Sequence, residues 1–126
     1  MPEKSKKSLV LVVDDERVIA DTLAIILSQS GFEAKAVYSG EAAVETAQEL
    51  HPEMIISDVI MHDLNGIEAA IRIRKMLPGC KILLFSGQAA TADLLESARS
   101  RGHEFTILAK PVHPQDLLDR LRGLKS

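Results

Sequence analysis

Short aliphatic runs alternate along this chain with stretches whose apolar residues recur every three to four positions. Leu9 to Val13 is an unbroken aliphatic run rich in β-branched valine, the pattern of a strand buried on both faces of a parallel sheet. After the acidic Asp14-Asp15-Glu16, Val18, Ile19, Leu23, Ile26 and Leu27 recur at helical spacing, with Arg17, Asp21 and Gln29 on the other side and Gly31 as the stop. Phe32 to Tyr38 sets Glu33 and Lys35 against Ala34, Ala36 and Val37, as a strand near a sheet edge does. Ser39-Gly40 opens a second helix with Ala42, Ala43, Val44 and Ala47 on its apolar face, and His51-Pro52 closes it because the residue before proline avoids right-handed helical geometry.

A third apolar run, Met54-Ile55-Ile56-Ser57, ends at Asp58 and gives way to a turn-rich connection through Asn65-Gly66. Ile67, Ala70, Ile71 and Ile73 then predict a helix that Pro78-Gly79 terminates. Lys81 to Phe85 reads as a fourth strand stopping at Ser86-Gly87, and the helix after it, roughly Thr91 to Arg101, buries little beyond Leu94, Leu95 and Ala98. It is therefore expected to be the least firmly docked helix and a moving part. Phe105 to Ala109 is a fifth strand ending at Lys110-Pro111, and Pro114 starts a last helix carrying Leu117, Leu118, Leu121 and Leu124.

Five strands alternating strictly with five helices predict an α/β fold, a flavodoxin-like doubly wound five-stranded parallel sheet with right-handed crossovers and strand order 2-1-3-4-5. Residues 9–126 form the domain, and residues 1–8 are expected to be a flexible tail. Ligands of such sheets sit beyond the carboxyl ends of the strands, where strand order reverses between strands one and three. Those strands end at Asp15 and Asp58.

Composition narrows the function. A chain of 126 residues, 46% of them hydrophobic, can build one real core. Its net charge of -3 offers no general attraction to nucleic acid or anionic lipid, and Lys4, Lys6 and Lys7 beside Glu3 read as a solvated terminus. No apolar run approaches a membrane span and the start lacks the apolar core of a signal peptide. With Cys80 the single cysteine, no intrachain disulfide or cysteine-based metal site can form. A cytoplasmic protein without direct nucleic-acid or membrane contact is expected, and Cys80 is read as a structural thiol.

The chemistry lies at the strand ends. Asp14, Asp15, Asp58, Ser86 and Lys110 close four of the five strands at one edge of the predicted sheet. Three carboxylates packed together repel, and a hard divalent cation such as Mg²⁺, which prefers oxygen ligands and retained water, keeps such a cluster ionised. A carboxylate beside Mg²⁺ can attack phosphorus, and a lysine can neutralise the charge on the transferring phosphoryl group. Asp58 takes the first role and Lys110 the second, while the Ser86 hydroxyl donates to a phosphoryl oxygen.

Val12-Val13-Asp14-Asp15-Glu16, Ser57-Asp58, Phe85-Ser86-Gly87 and Ala109-Lys110-Pro111 together resemble the motifs of the receiver domain of two-component response regulators, of the single-domain chemotaxis type. The resemblance covers essentially the whole chain. It implies phosphoryl transfer to Asp58 from a phosphohistidine on a sensor histidine kinase or histidine phosphotransfer protein. It also implies Mg²⁺ held by Asp15, Asp58 and the backbone carbonyl of Ile60, Asp14 acting through metal-bound water, and a cis Lys110-Pro111 bond. Phosphorylation would place a doubly negative phosphoryl group on Asp58, draw Ser86 and Lys110 inward and shift the helix behind Ser86. A downstream protein would read the face of the fourth helix, fifth strand and fifth helix.

Three positions depart from the family pattern. Ile107 stands where the family usually carries an aromatic residue, three places before the lysine, with Phe105 two residues earlier on the same side of the strand. His62 replaces the usual proline four residues after the acceptor, and it is read, with His51, His103 and His113, as a histidine at an element end rather than a ligand. Ile60 and Gln88 occupy positions that influence phosphoryl lifetime in the family, and apolar Ile60 is expected to hinder the attacking water. A phosphorylation-independent pseudo-receiver interaction module is the alternative function. An aspartate-nucleophile phosphatase would need a second aspartate where Ile60 stands, and a helix-turn-helix regulator would need room after the fifth helix.

Overall fold

The computed structural model describes residues 8–61, 64–87, 91–110 and 113–125. Strands and helices alternate as β1 (Leu9–Val13), α1 (Arg17–Gln29), β2 (Glu33–Val37), α2 (Gly40–Leu50), β3 (Met54–Asp58), α3 (Gly66–Met76), β4 (Lys81–Ser86), α4 (Thr91–Ser100), β5 (Thr106–Ala109) and α5 (Pro114–Lys125). All neighbouring strands are parallel, in the order β2-β1-β3-β4-β5. This is the doubly wound architecture and strand order that the alternation predicts.

Strand composition follows position in the sheet. The three central strands are buried almost throughout, whereas β2 and β5, at the edges, leave alternate or terminal residues exposed. Because successive strand side chains point to opposite faces, the core divides in two. Leu11, Val13, Ile55, Ile82 and Leu84 pack beneath α2, α3 and α4, and Val10, Val12, Met54, Ile56, Leu83 and Phe85 pack beneath α1 and α5.

The helix α1 departs from the sequence reading at one end. Its buried residues are Ala20 and Leu27, and Val18 is 78% exposed rather than part of the core-facing stripe. Val18 lies two residues from Ala20, about 200° around the helix at 3.6 residues per turn, so the face centred on Ala20 and Leu27 turns Val18, and Ile25 seven residues on, toward solvent. Helix α2 closes at His51, as expected, but through a left-handed residue (φ 51°, ψ 62°) whose N–H donates to the Ala47 carbonyl. Ser39 caps the other end, its hydroxyl oxygen accepting from Ala42 N–H at 3.0 Å. Sheet hydrogen bonding begins at Ser8, which is buried and whose carbonyl accepts from Glu33 N–H.

Candidate functional site

The carboxyl ends of β1 and β3 lie side by side, with Val13 opposite Ser57, so the residues that follow them meet. Asp14 N–H donates to the Val37 carbonyl, and Asp14 Oδ1 accepts from Glu16 N–H at 2.9 Å. That second bond is an Asx-type turn which ends the strand and launches α1. It leaves Asp14 fully buried, with Oδ2 the single buried side-chain polar atom without a hydrogen-bond partner among the described residues. Burial above all, and then the Asp58 and Asp15 charges, hold the Asp14 carboxyl above the ordinary carboxylate range, while the Glu16 N–H and the Lys110 ammonium pull it down.

Carboxylate oxygens of Asp14, Asp15 and Asp58 all lie within 4.8 Å of one another. An orphaned buried oxygen facing two like charges is an arrangement that a divalent cation resolves, and an all-oxygen donor set suits Mg²⁺. On the other side of Asp58, Lys110 Nζ donates to Oδ2 at 3.0 Å. The amine is carried there by the end of β5, whose Ala109 pairs with Ser86, and Lys110 N–H donates to the Ser86 carbonyl at 3.1 Å. Ser86 is buried at the end of β4. The structure thus brings Asp14, Asp15, Asp58, Ser86 and Lys110 to one edge, with an ion pair joining Lys110 to Asp58. Ile60 lies in the loop beyond Asp58 with 38% of its surface exposed.

Two glycines shape this loop, and the sequence reading treated both only as turn or helix-opening signals. A Cβ on Gly66 would stand 2.1 Å from the Asp58 carbonyl oxygen, and one on Gly40 would stand 2.3 Å from the Leu64 carbonyl oxygen. Close backbone approach, which only glycine permits, therefore packs the start of α3 against Asp58 and the start of α2 against the loop. Gly66 N–H donates to the Val59 carbonyl at 2.7 Å, and Asn65 Oδ1 caps α3 by accepting from Glu68 N–H.

Phe105 does not stand in for the missing aromatic. It precedes β5, four residues before Ala109, which pairs with Ser86. At the ~3.3 Å rise of a strand this places it about 13 Å from the level of Ser86. There it is held by Arg74, whose guanidinium lies 4.3 Å over the ring, and by a stacked His103. Ile107, nearer the site, packs into the same side of the core. His51 and His113 are exposed, the latter accepting from Gln115 N–H at the start of α5. His62, Gln88, Pro111 and the lysines of the first seven residues lie outside the described residues. Cys80 is buried, which pushes its thiol up to about 11 and keeps it out of thiolate chemistry at neutral pH.

Residues 10–122 match the family model described as the response regulator receiver domain. The chemotaxis protein CheY of Thermotoga maritima is 32% identical over 89% of this chain and 92% of its own length. The probable transcriptional regulatory protein TcrX of Mycobacterium tuberculosis is 29% identical over 91% of this chain, and the DNA-binding response regulator MtrA of Mycolicibacterium smegmatis 28% identical over 90%. The chain spans about half the length of these two regulators, 48% and 49%. Among solved structures, the Vibrio cholerae chemotaxis protein CheY4 superposes with a TM-score of 0.82 at 27% identity, covering 94% of this chain and 98% of its own.

Proposed function

The chain belongs to the response regulator receiver domain family of two-component signalling, and from that premise we propose that it is a phosphoacceptor switch with Asp58 as the acceptor. The single observation that carries the reading is the Lys110 ammonium 3.0 Å from Asp58 Oδ2, opposite a carboxylate cluster whose oxygens lie within 4.8 Å. A carboxylate paired on one side and crowded by like charge on the other is set up for attack on phosphorus rather than for structural support.

In the proposed step an Asp58 carboxylate oxygen forms a bond to phosphorus as the bond to the donor breaks, the electron pair leaving with the donor nitrogen or oxygen. Asp15, Asp58 and the Ile60 carbonyl would hold Mg²⁺, with Asp14 acting through coordinated water, and the bound ion would supply positive charge at the phosphoryl oxygens. Lys110 stays ion-paired at the site and neutralises the remaining charge, and Ser86 donates its hydroxyl hydrogen to a phosphoryl oxygen. Gly66 keeps the Asp58 backbone seated while charge builds up on the side chain. The donor in this reading is a sensor histidine kinase or a histidine phosphotransfer protein. The output is altered binding of a downstream protein to the face of α4, β5 and α5. The domain touches neither nucleic acid nor membrane itself and works in the cytoplasm. Among the described residues no helix is long and apolar enough to cross a membrane.

The test is mass spectrometry after incubation with acetyl phosphate and Mg²⁺, beside Asp58→Ala and a chelated sample. The expected result is the gain of one phosphoryl group, absent from both controls, with faster loss of the group in Ile60→Asn. No gain in protein that demonstrably binds Mg²⁺ would replace this reading with a phosphorylation-independent interaction module.

A further inference from the structure

We propose that Phe85 is a positioning residue for Lys110: the face of its ring holds the ammonium where it meets Asp58. The proposal rests on the phosphoacceptor reading for its catalytic consequence but not for its geometry. Asp58 and Phe85 are register partners across the parallel pair β3 and β4, neighbours at the ~4.8 Å strand spacing. Phe85 belongs to the core cluster beneath α1 and α5, and only 3% of its surface is exposed. Lys110 Nζ stands 5.1 Å from the ring centroid while donating to Asp58 Oδ2 at 3.0 Å. Within about 6 Å of the centroid, the negative face of an aromatic ring attracts a cation, more strongly where water is excluded.

Beside the ring, the ammonium is held by its ion pair with Asp58 and by the charge of Asp14. Lys110 and Phe85 line a cleft of about 610 Å³ between α1 and α5 whose other walls, Thr22 apart, are apolar, Ile19, Leu23, Pro114 and Leu117 among them. The stem runs past Gly87, where an added Cβ would stand at ordinary contact distance, 3.4 Å from Lys110 Cβ and 3.9 Å from its Cδ. A lysine side chain is otherwise long and rotationally free, and its ordering costs entropy that something must offset. Here the Phe85 ring receives the head. An aliphatic residue at 85 would keep the position apolar but could not attract the ammonium. Phe85-Ser86 thus supplies two different services to the phosphoryl site, of which the hydroxyl is only one.

The experiment replaces Phe85 with a trifluorinated phenylalanine, which keeps the shape of the ring and depletes its electron density, and with Leu and Tyr. Two quantities are read: the chemical shift of the Lys110 ε-methylene protons, which a ring face moves upfield, and the rate of phosphorylation by acetyl phosphate with Mg²⁺. We expect the upfield shift in the unmodified protein and in Phe85→Tyr, and its loss in Phe85→Leu. The rate should fall about three- to tenfold in the fluorinated and Leu proteins and be restored by Tyr, as expected for the loss of a partly desolvated cation–π contact. The fluorinated protein should still unfold in one cooperative thermal transition, since its ring keeps the core filled. An equal rate in the fluorinated and unmodified proteins would overturn the role of the ring while leaving Asp58 as acceptor. If the unmodified protein takes up no phosphoryl group, the phosphoacceptor reading fails. The lysine shift then decides the geometric claim alone, which falls if Phe85→Leu leaves it in place.

Discussion

Asp14 shows how one residue can be unfavourable for the fold and useful for the site. It is fully buried, one of its oxygens has no hydrogen-bond partner among the described residues, and two further carboxylates stand within 4.8 Å. Leaving a buried polar atom unsatisfied costs about 1 to 3 kcal/mol. Without metal, Asp14→Asn removes the charge at little change of shape, so the variant should melt at a higher temperature than the unmodified protein. With Mg²⁺ the order should narrow or reverse, since an ion present at one hundred times its dissociation constant adds about 2.7 kcal/mol to a state that binds it. Scanning calorimetry with and without chelator checks both halves. A lower melting temperature for Asp14→Asn in chelator would mean that the carboxylate stabilises the fold by a contact other than metal.

At the scale of elements, α4 buries as little as its sparse apolar pattern predicts, with Ala98 the only fully buried residue among Leu94, Leu95 and Ala98. What the pattern did not reveal is a polar clamp at its far end. Arg101 spans Glu68 of α3 with contacts of 2.5 and 3.4 Å, and Arg74 donates to the Glu104 carbonyl while lying over Phe105. The Arg101 hydrogen bond pulls the Glu68 carboxyl below its ordinary value of 4.5 against the effect of burial. A depressed folded pKa means that the pair supports α4 fully above that ordinary value and is lost as pH falls below it, through the folded pKa. Hydrogen exchange should therefore show α4 protection dropping, relative to α1, under acid conditions. Arg101→Ala should show the same loss at neutral pH and little further change with acid. Unaltered α4 protection in Arg101→Ala would remove the clamp from the account.

The whole molecule is one sheet with a core on each side, and β4 joins them: Leu83 is buried beneath α1 and α5, Leu84 beneath α2, α3 and α4. If the two cores form one cooperative unit, Leu83→Ala and Leu84→Ala should each cost about 2 to 5 kcal/mol and each leave a single unfolding transition. The single tyrosine, Tyr38, sits between Arg17 and Asp21 and offers a fluorescence probe against helical circular dichroism. Transitions that separate by probe in either variant would show that the faces unfold independently.

Alternation of strand and helix, the burial contrast between central and edge strands, and the polar strand ends Asp14, Asp15, Asp58, Ser86 and Lys110 were all determined by the sequence itself. The physical reason is that these features are local: periodicity, turn residues and strand length follow from the chain within a few positions. The orientation of α1, which turns Val18 to solvent, depended on where the sheet lies beneath it. Tertiary structure likewise decided the need for glycine at 66 and 40, since an added Cβ meets residues that only folding brings near. It decided that Phe105 packs with Arg74 and His103 rather than near Ser86, and that Phe85, to all appearance a core residue of β4, lies under the ammonium of Lys110. Apart from the His103–Phe105 stack, those contacts join segments far apart in the chain, and no local pattern carries their distances.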